Sequence, residues 1–267
     1  MDLRLVYLYG DLMNLYGDRG NILALQQRCA WRGIRLQVEN VTIGDRFDPA
    51  ATQLLFFGGG QDAEQAAISR DLAVRTGEAV EEAIQDGAAL LAVCGGYQLL
   101  GRSFRTAEGV EIPGTGLFDA YTIAGSRRCV GDVVAEATLD GDRFPLVGFE
   151  NHSGKTYLMP GGSTAPATDQ AGPRRTVPLA RVIVGSGNNG EDATEGARYL
   201  GAIGTYLHGP ILPKNPWLAD WLILTGLRRL IGPEATLAPL DDQLESAARD
   251  AFTERARRRR HTRTSIR

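Results

Sequence analysis

The sequence has few of the residues from which metal knuckles and disulfide frameworks are built. Only three cysteines occur among its 267 residues, Cys29, Cys94 and Cys129. No two of them are close enough in sequence to resemble a metal-binding knuckle, and an odd, sparse set does not suggest a disulfide framework. We therefore expect a cytoplasmic protein without a metal site.

Long hydrophobic runs are missing as well. The longest candidate, Trp217 to Leu230, is interrupted by Asp220, Gly226 and two arginines, so it falls short of a membrane span. The N-terminal apolar run contains Asp2 and Arg4 and lacks the hydrophobic region of a signal peptide. We expect no membrane span and no secretion.

An excess of positive charge is absent from the chain as a whole. The formal net charge of -3 gives no general reason to expect a nucleic-acid partner. The exception is the C-terminal end, where Arg257 to Arg260 are consecutive arginines. This tail could contact nucleic acid, anionic lipid or an acidic partner, but a solvated tail is the simpler interpretation. A non-enzymatic binding protein that uses the tail is one alternative function.

Strand-like and helix-like segments alternate through the first hundred residues. This pattern predicts an α/β fold with a mostly parallel central sheet covered by helices. From Thr106 to Val184, short strand-like runs separated by Gly and Pro predict an antiparallel extension. The predicted strands cover residues 3–9, 36–41, 53–57 and 88–93, and the helical segments between them cover 21–31 and 64–85, with a break near Thr76-Gly77.

The same reading predicts the domain organisation. We expect one catalytic domain over residues 1–240, followed by a C-terminal helix and basic tail over residues 241–267. The segment from Met159 to Pro178 is rich in Pro, Gly, Thr and Ala, and so predicts a surface loop.

One segment carries the strongest chemical signal, an apolar run that ends abruptly at Cys94. Gly95, Gly96 and a helix-like segment follow it. A strand, a tight turn and a helix in this order form a nucleophile elbow, and a cysteine at a helix N-terminus is favoured as its thiolate. A buried core cysteine at a strand end is the alternative, but the two glycines favour a nucleophile.

The preceding predicted strand ends in three glycines, Gly58 to Gly60. In a parallel sheet the carboxyl ends of neighbouring strands share one edge, so this loop should lie beside Cys94. Backbone N–H groups of this loop and of Gly95 could then stabilise an oxyanion. A tight turn that requires a positive φ is the simpler reading of the glycines.

Histidine is scarce, and this scarcity limits the choice of a base. His208 ends an apolar strand, which is a suitable position for the general base of a cysteine nucleophile. His152 also follows an apolar run and is a competitor, whereas His261 lies in the basic tail. An arginine of the pair Arg127-Arg128 could hold a carboxylate, although a solvated surface pair is an equally good interpretation.

Together these residues predict acyl transfer from an amide or ester through a thioester. The segment CGGYQLLG, residues 94–101, resembles the triad-type (class I) glutamine amidotransferase domains of the branch that includes cobyric acid synthase. Within that branch the sequence is similar to the glutaminase subunits of lipid II isoglutaminyl synthases. This resemblance rests on the segments YGDRGNI (16–22), FFGGGQD (56–62), GFENHSGKTY (148–157) and GTYLHGPILPKNP (204–216).

The resemblance implies a subunit that hydrolyses L-glutamine and passes ammonia to a Mur-ligase-like synthetase partner. That partner would use ATP and Mg²⁺ to amidate the α-carboxyl of D-glutamate in the stem peptide of lipid II, and no cofactor is expected in this chain. Carried onto this sequence, the resemblance implies that Cys94 is the nucleophile and that His208, rather than His152, is the base. It also implies that Gly59 or its neighbours and Gly95 line the oxyanion hole, and that Arg128 and Gln98 bind substrate. Alternatives are a subunit of another cobyrinate-type amidotransferase and a Cys-His peptidase or deglycase.

The sequence departs from the class at one position. Most triad-type domains carry a Glu two residues after the His, whereas Pro210 stands here and cannot orient an imidazole through its side chain. We expect a third acidic group from the partner chain, with Asp18 as the internal alternative. An acid from the partner would make the isolated subunit a poor glutaminase.

Overall fold

The computed structural model describes residues 1–159 and 176–264, and within these ranges strands and helices alternate. The strands are β1 Asp2–Leu8, β2 Arg35–Val41, β3 Leu54–Phe57, β4 Ala89–Val93, β5 Ser103–Arg105, β6 Glu111–Pro113, β7 Ala120–Leu139, β8 Asp142–Leu158, β9 Ala180–Val184, β10 Thr194–Glu195, β11 Ala197–Tyr199, β12 Ala202–Thr205 and β13 Leu207–His208. The α-helices are α1 Arg19–Ala30, α2 Asp62–Asp71, α3 Gly77–Gln85, α4 Gly95–Leu99, α5 Ile211–Lys214, α6 Pro216–Ile231 and α7 Gln243–Thr264.

The central sheet has the order β11-β12-β4-β3-β1-β2. Its neighbours pair in parallel except for the edge pair β11 and β12, which is antiparallel. Every residue of β3, β4 and β12 is buried, as expected for strands with helices on both faces. The predicted α/β fold with a mostly parallel sheet is confirmed. The carboxyl ends of β3, β4 and β12 therefore lie next to one another at one edge.

The helical segment predicted over residues 64–85 is divided in two. A π-helical turn, Leu72–Thr76, separates α2 from α3 near the predicted break. Gly77 allows close approach here, since a Cβ at this position would lie 2.7 Å from the carbonyl oxygen of Leu72. On the central sheet, α6 packs against β1, β3 and β4.

The antiparallel extension is a second sheet built around the long hairpin of β7 and β8. The sequence predicted shorter strands here, because Gly125 and the polar residues up to Arg128 interrupt the apolar pattern. The backbone continues through that interruption as a bulge between Ala124 and Cys129. The short strand β13 pairs with β8 and so joins the second sheet to the end of β12.

The C-terminal helix α7, Gln243–Thr264, extends through most of the segment that the sequence predicted as a basic tail. It packs on the second sheet, where Phe252 and Ala256 contact Val134 and Val147. The division between residues 1–240 and 241–267 stays a prediction. Most of the predicted loop from Met159 to Pro178 lies outside the described residues.

Two further observations concern the described ranges alone. None of their helices combines the length and the apolar character needed to cross a bilayer. No group of three or more His, Cys, Asp and Glu side chains in these ranges could hold a metal ion.

Candidate active site

Cys94 occupies the sharp turn between β4 and α4. Its φ of 49° lies in the left-handed region, which residues other than glycine rarely adopt. The Cys94 N–H donates to the carbonyl of Thr205 on the neighbouring strand at 2.8 Å, and the Cys94 carbonyl accepts from the Gln98 N–H at 2.9 Å. This strained turn carries the thiol out of the sheet edge, which is the geometry of a nucleophile elbow.

The two glycines after Cys94 let this turn pack directly on the glycine loop that follows β3. The Gly96 N–H donates to the Gly58 carbonyl at 3.1 Å. A Cβ on Gly96 would lie 2.7 Å from the Phe57 carbonyl oxygen, and a Cβ on Gly95 would lie 2.9 Å from the Gly60 nitrogen. The loops therefore meet backbone to backbone, which larger residues would prevent.

His208 reaches the same edge from the other side of β4. The chain leaves β12 through Tyr206 and forms β13, which ends at His208. The Nδ1 atom of His208 lies 3.9 Å from Oδ1 of Asp18, and both side chains are almost completely buried. Asp18 stands immediately before α1. A carboxylate from the N-terminal part of the chain thus faces the imidazole.

Gly59 shows how closely Cys94, His208 and Asp18 converge; we call these three residues the site triad. A Cβ added to Gly59 would lie 3.2 Å from Asp18 Oδ2 and 3.3 Å from His208 Cε1. The same Cβ would lie 3.5 Å from the Cβ of Cys94. The site triad therefore surrounds a single glycine, and the absence of a side chain there leaves room for it.

The Gly59 N–H has a different partner from the one that the sequence predicted. It donates to Asp18 Oδ2 at 2.7 Å, so in this geometry it is not available to an oxyanion. The bond instead helps to hold the Asp18 carboxylate beside His208.

The charges of the site triad favour a protonated imidazole. Burial alone would lower the pKa of His208. The Cys94 sulfur and the Asp18 carboxylate more than offset this effect and raise the pKa to about 10. At neutral pH His208 therefore carries a proton and a positive charge. A cation beside a sulfur favours the thiolate, which is the nucleophilic form of cysteine.

Pro210, at the position where the class carries a Glu, packs against α1. A Cβ on Gly20 would lie 2.2 Å from Pro210 Cγ, which shows direct contact between the proline ring and the helix backbone. The Leu212 N–H also donates to Asn21 Oδ1 at 3.0 Å. These contacts bring the first turn of α1, and Asp18 just before it, to His208. The structure thus offers an internal acid where the sequence analysis favoured one from a partner.

The site opens into a pocket of about 480 Å³ lined by Cys94, Gln98 and Arg128. Arg128 lies in the bulged part of β7, and Asn151 on β8 holds its guanidinium. Nε donates to Asn151 Oδ1 at 2.6 Å and Nη2 donates to the Asn151 carbonyl at 3.2 Å. The structure therefore brings Arg128 into the same pocket as Cys94, and its role in binding substrate stays a prediction.

Gln98 also lines the pocket, but its amide is tied to the protein interior. Its Nε2 donates to the Tyr206 hydroxyl at 3.1 Å, and its Oε1 accepts from Gln65 Nε2 at 3.0 Å. The Tyr206 hydroxyl in turn lies 2.7 Å from Thr156 Oγ1. These bonds fix the orientation of Gln98 at the base of the pocket.

His152, the competing histidine, has a different environment from His208. Its ring stacks on Tyr206 with a centroid distance of 3.7 Å, and its Nδ1 lies 2.7 Å from the Gly154 carbonyl oxygen. It lines the pocket, but it does not take part in the convergence around Gly59.

Glu195 supports the site and was missed in the sequence. It is fully buried, and it accepts hydrogen bonds from Thr205 Oγ1 at 2.6 Å and from the Tyr206 N–H at 3.0 Å. Burial raises the pKa of Glu195 to about 7, although both hydrogen bonds act in the opposite direction. Glu195 thereby holds the segment that bonds to the Cys94 backbone and leads to His208. An acid directly after the turn-rich run GNNGEDAT was the only available signal.

Comparisons with known proteins show which family the chain belongs to. Residues 4–216 match the family of CobB/CobQ-like glutamine amidotransferase domains. The chain belongs to this family. It is 38% identical over 265 residues to a Staphylococcus aureus protein named lipid II isoglutaminyl synthase (glutamine-hydrolyzing) subunit GatD, covering 98% of this chain and 99% of that one. A Streptococcus pneumoniae protein of the same name is 37% identical over 94% of this chain and 91% of its own.

More distant members of the family share only part of their length with this chain. Cobyric acid synthase of Rhodobacter capsulatus is 32% identical over 61% of this chain but over only 32% of its own length. Among solved structures, PurLQS from Thermotoga maritima has a TM-score of 0.55 and 13% identity over 86% of this chain and 100% of that one. A structure described as a glutamine amidotransferase has a TM-score of 0.53 and 16% identity over 83% of this chain and 98% of its own. These two structures support the fold alone.

The family and the full-length relatives confirm the resemblance that the motifs predicted. The protein is a glutamine amidotransferase, and its fold is the single amidotransferase-like domain expected from the sequence.

Proposed function

We propose that this chain hydrolyses L-glutamine with Cys94 as nucleophile and passes the ammonia to a Mur-ligase-like synthetase subunit. In this proposal the partner binds ATP and Mg²⁺ and amidates the α-carboxyl of D-glutamate in the stem peptide of lipid II, in the cytoplasm. The observation that carries the proposal is the convergence of the site triad around Gly59 at the base of the pocket.

The first half of the reaction forms a thioester. The Cys94 thiolate attacks the side-chain carbonyl carbon of glutamine, a C–S bond forms, and the carbonyl oxygen becomes an oxyanion. The N–H groups of Gly95 and Gly60 are the best candidates to stabilise this oxyanion, because the Gly59 N–H bonds to Asp18. The His208 imidazolium then gives its proton to the departing nitrogen, the C–N bond breaks and ammonia leaves.

The second half regenerates the enzyme. Neutral His208 takes a proton from a water molecule, whose oxygen attacks the γ-glutamyl thioester. The C–S bond breaks, glutamate leaves, and the thiolate and imidazolium are restored. Asp18 orients the imidazole through both halves and favours its charged form, the role that an acid has in other triads.

The acceptor is proposed from the lengths of the relatives. This chain covers nearly all of the two isoglutaminyl synthase subunits but about a third of cobyric acid synthase. The near-full-length match to those two subunits favours their acceptor over that of a cobyrinate-type enzyme. Arg128 would bind the α-carboxylate of glutamine by a paired hydrogen bond.

The test is to purify the chain with any co-expressed Mur-ligase-like protein and to measure ammonia release and amidation of lipid II. Cys94→Ala should abolish ammonia release from glutamine because no thioester forms, while amidation from added ammonium salt continues. Cys129→Ala, which removes a second incompletely buried thiol, is the matched control and should keep both activities.

The outcomes separate the parts of the proposal. Ammonia release that survives in Cys94→Ala contradicts the mechanism. Full glutaminase activity without amidation, or failure of any such synthetase to co-purify, contradicts the proposed partner and acceptor. Faster cleavage of peptides than of glutamine would favour the Cys-His peptidase alternative.

A further inference from the structure

The wall of the pocket carries two side chains of opposite charge. Among the described residues that line it, Asp62 is the only carboxylate, and Arg128 is the only side chain that is cationic at every pH near neutrality. They come from different elements, since Asp62 is the first residue of α2 and Arg128 lies in the bulge of β7. Cys94 lines the same pocket.

Electrostatic interactions link the two charges. Burial and the carboxylate of Glu108 raise the pKa of Asp62, and the guanidinium of Arg128 lowers it. Both neighbours therefore act on Asp62 through space, although Glu108 does not line the pocket. Within the described parts of the chain, the Asp62 carboxylate forms neither a hydrogen bond nor an ion pair.

A purely structural role for Asp62 at the start of α2 is already filled by its neighbours. Gln61 and Glu64 form a capping box, in which the Gln61 N–H donates to Glu64 Oε2 at 3.0 Å. The first turn of the helix is thus capped without Asp62, whose carboxylate remains exposed at the pocket wall.

This arrangement matches one end of a free α-amino acid. Glutamine carries an ammonium and a carboxylate on its Cα, and its amide is at the far end of a flexible side chain. We propose that Asp62 binds the α-ammonium of glutamine while Arg128 binds the α-carboxylate, so that the pocket selects free glutamine over amides that lack the amino group. This inference rests on the proposed function and adds Asp62 as a residue that determines specificity.

The test compares L-glutamine with 5-amino-5-oxopentanoate, which is glutamine without its amino group. Both are offered to the full chain, alone and with a co-purified synthetase partner, and ammonia release is measured. For Asp62→Asn we expect kcat/KM with glutamine to fall about 10- to 100-fold, mainly through KM, because one charge-assisted hydrogen bond is lost. Activity on the deaminated amide should stay within about twofold, since it never used that bond.

Two further variants separate a direct contact from a general field. Glu108→Gln removes a nearby negative charge from outside the pocket and should keep the preference for glutamine. Asp62→Glu keeps the charge and should retain most of the preference. The rate of Cys94 alkylation by iodoacetamide, which needs no amino-acid recognition, should be the same in all variants.

The possible results test the inference and the proposed function separately. If Asp62→Asn lowers activity on both amides equally, or leaves the preference intact, the inference is wrong. It is also wrong if the wild-type chain uses the deaminated amide as well as glutamine, whatever the variants do. A wild type that hydrolyses neither amide contradicts the proposed function instead.

Discussion

Replacing Asp18 by Asn removes the charge that faces His208 with almost no change in shape. The Asn side chain keeps an oxygen that can accept the Gly59 N–H, so the glycine loop should hold its position. Its amide would then point towards His208 Nδ1, 3.9 Å away in the native arrangement. A donor at that place favours the imidazole tautomer that carries its proton on Nε2, and the positive charge of His208 loses its partner.

The expected size of the effect follows from this distance and from burial. Two unit charges about 4 Å apart interact by about 4 kcal/mol at an effective dielectric constant of about 20, or about three pH units as an upper limit. The pKa of His208 is about 10 with Asp18 present. A raised pKa keeps the imidazolium protonated until the pH approaches that value, so loss of Asp18 should move the alkaline limb of kcat/KM down by about one to three pH units.

The assay is glutaminase activity between pH 6 and 10.5. At neutral pH, Asp18→Asn should lose about 10²- to 10⁴-fold in kcat, the range seen when an orienting carboxylate is removed from a triad. Asp11→Asn is the matched control, because Asp11 lies in the same turn-rich segment but bonds to Thr42 at the surface. An alkaline limb that does not move in Asp18→Asn would refute the role of Asp18 and restore a partner acid as the third group.

Two other predictions test packing at the site and charge burial away from it. Gly59→Ala should lower kcat about tenfold with little change in KM or Tm, because the added Cβ would force the site triad apart by a few tenths of an ångström. Gly131→Ala is the control and should have no effect, because a Cβ there meets nothing within 4 Å. Arg28→Met should lower the free energy of unfolding, measured in urea, by about 3 kcal/mol. The substitution removes a buried guanidinium that pairs with two carboxylates, one of them that of Asp220. Arg35→Met, which breaks an exposed ion pair, should cost much less than Arg28→Met, and equal losses in the two arginine variants would contradict this reasoning.

The parallel half of the fold could be predicted because its signals are local. The apolar runs that become β1, β3 and β4 lie within one or two residues of the predicted strands, since a strand buried on both faces needs an almost unbroken apolar run. The long hairpin of β7 and β8 could not be predicted in full, because polar residues near Arg128 interrupt the pattern. Their backbone bonds are nevertheless made across a bulge, and those bonds depend on the partner strand rather than on side-chain polarity.

The site residues also differ in whether a local sequence pattern or only tertiary contacts reveal them. Cys94 could be found from the sequence because a strand, two glycines and a short helix encode the elbow within a few residues. His208 and His152 were both candidates by their positions after apolar runs, and only the family resemblance favoured His208. The structure separates them, because β13 carries His208 to Gly59 while His152 stacks on Tyr206.

The sequence by itself determined the chemistry that this protein has available: a cysteine at a tight turn, a glycine loop and a histidine at a strand end. Tertiary structure alone decided which of these groups lie side by side. Asp18 and His208 lie far apart in the chain, and Pro210, two residues after His208, packs on Gly20 at the start of α1. Contacts of that kind depend on how whole elements pack, so no local pattern predicts that a carboxylate from the N-terminal part of the chain lies beside His208.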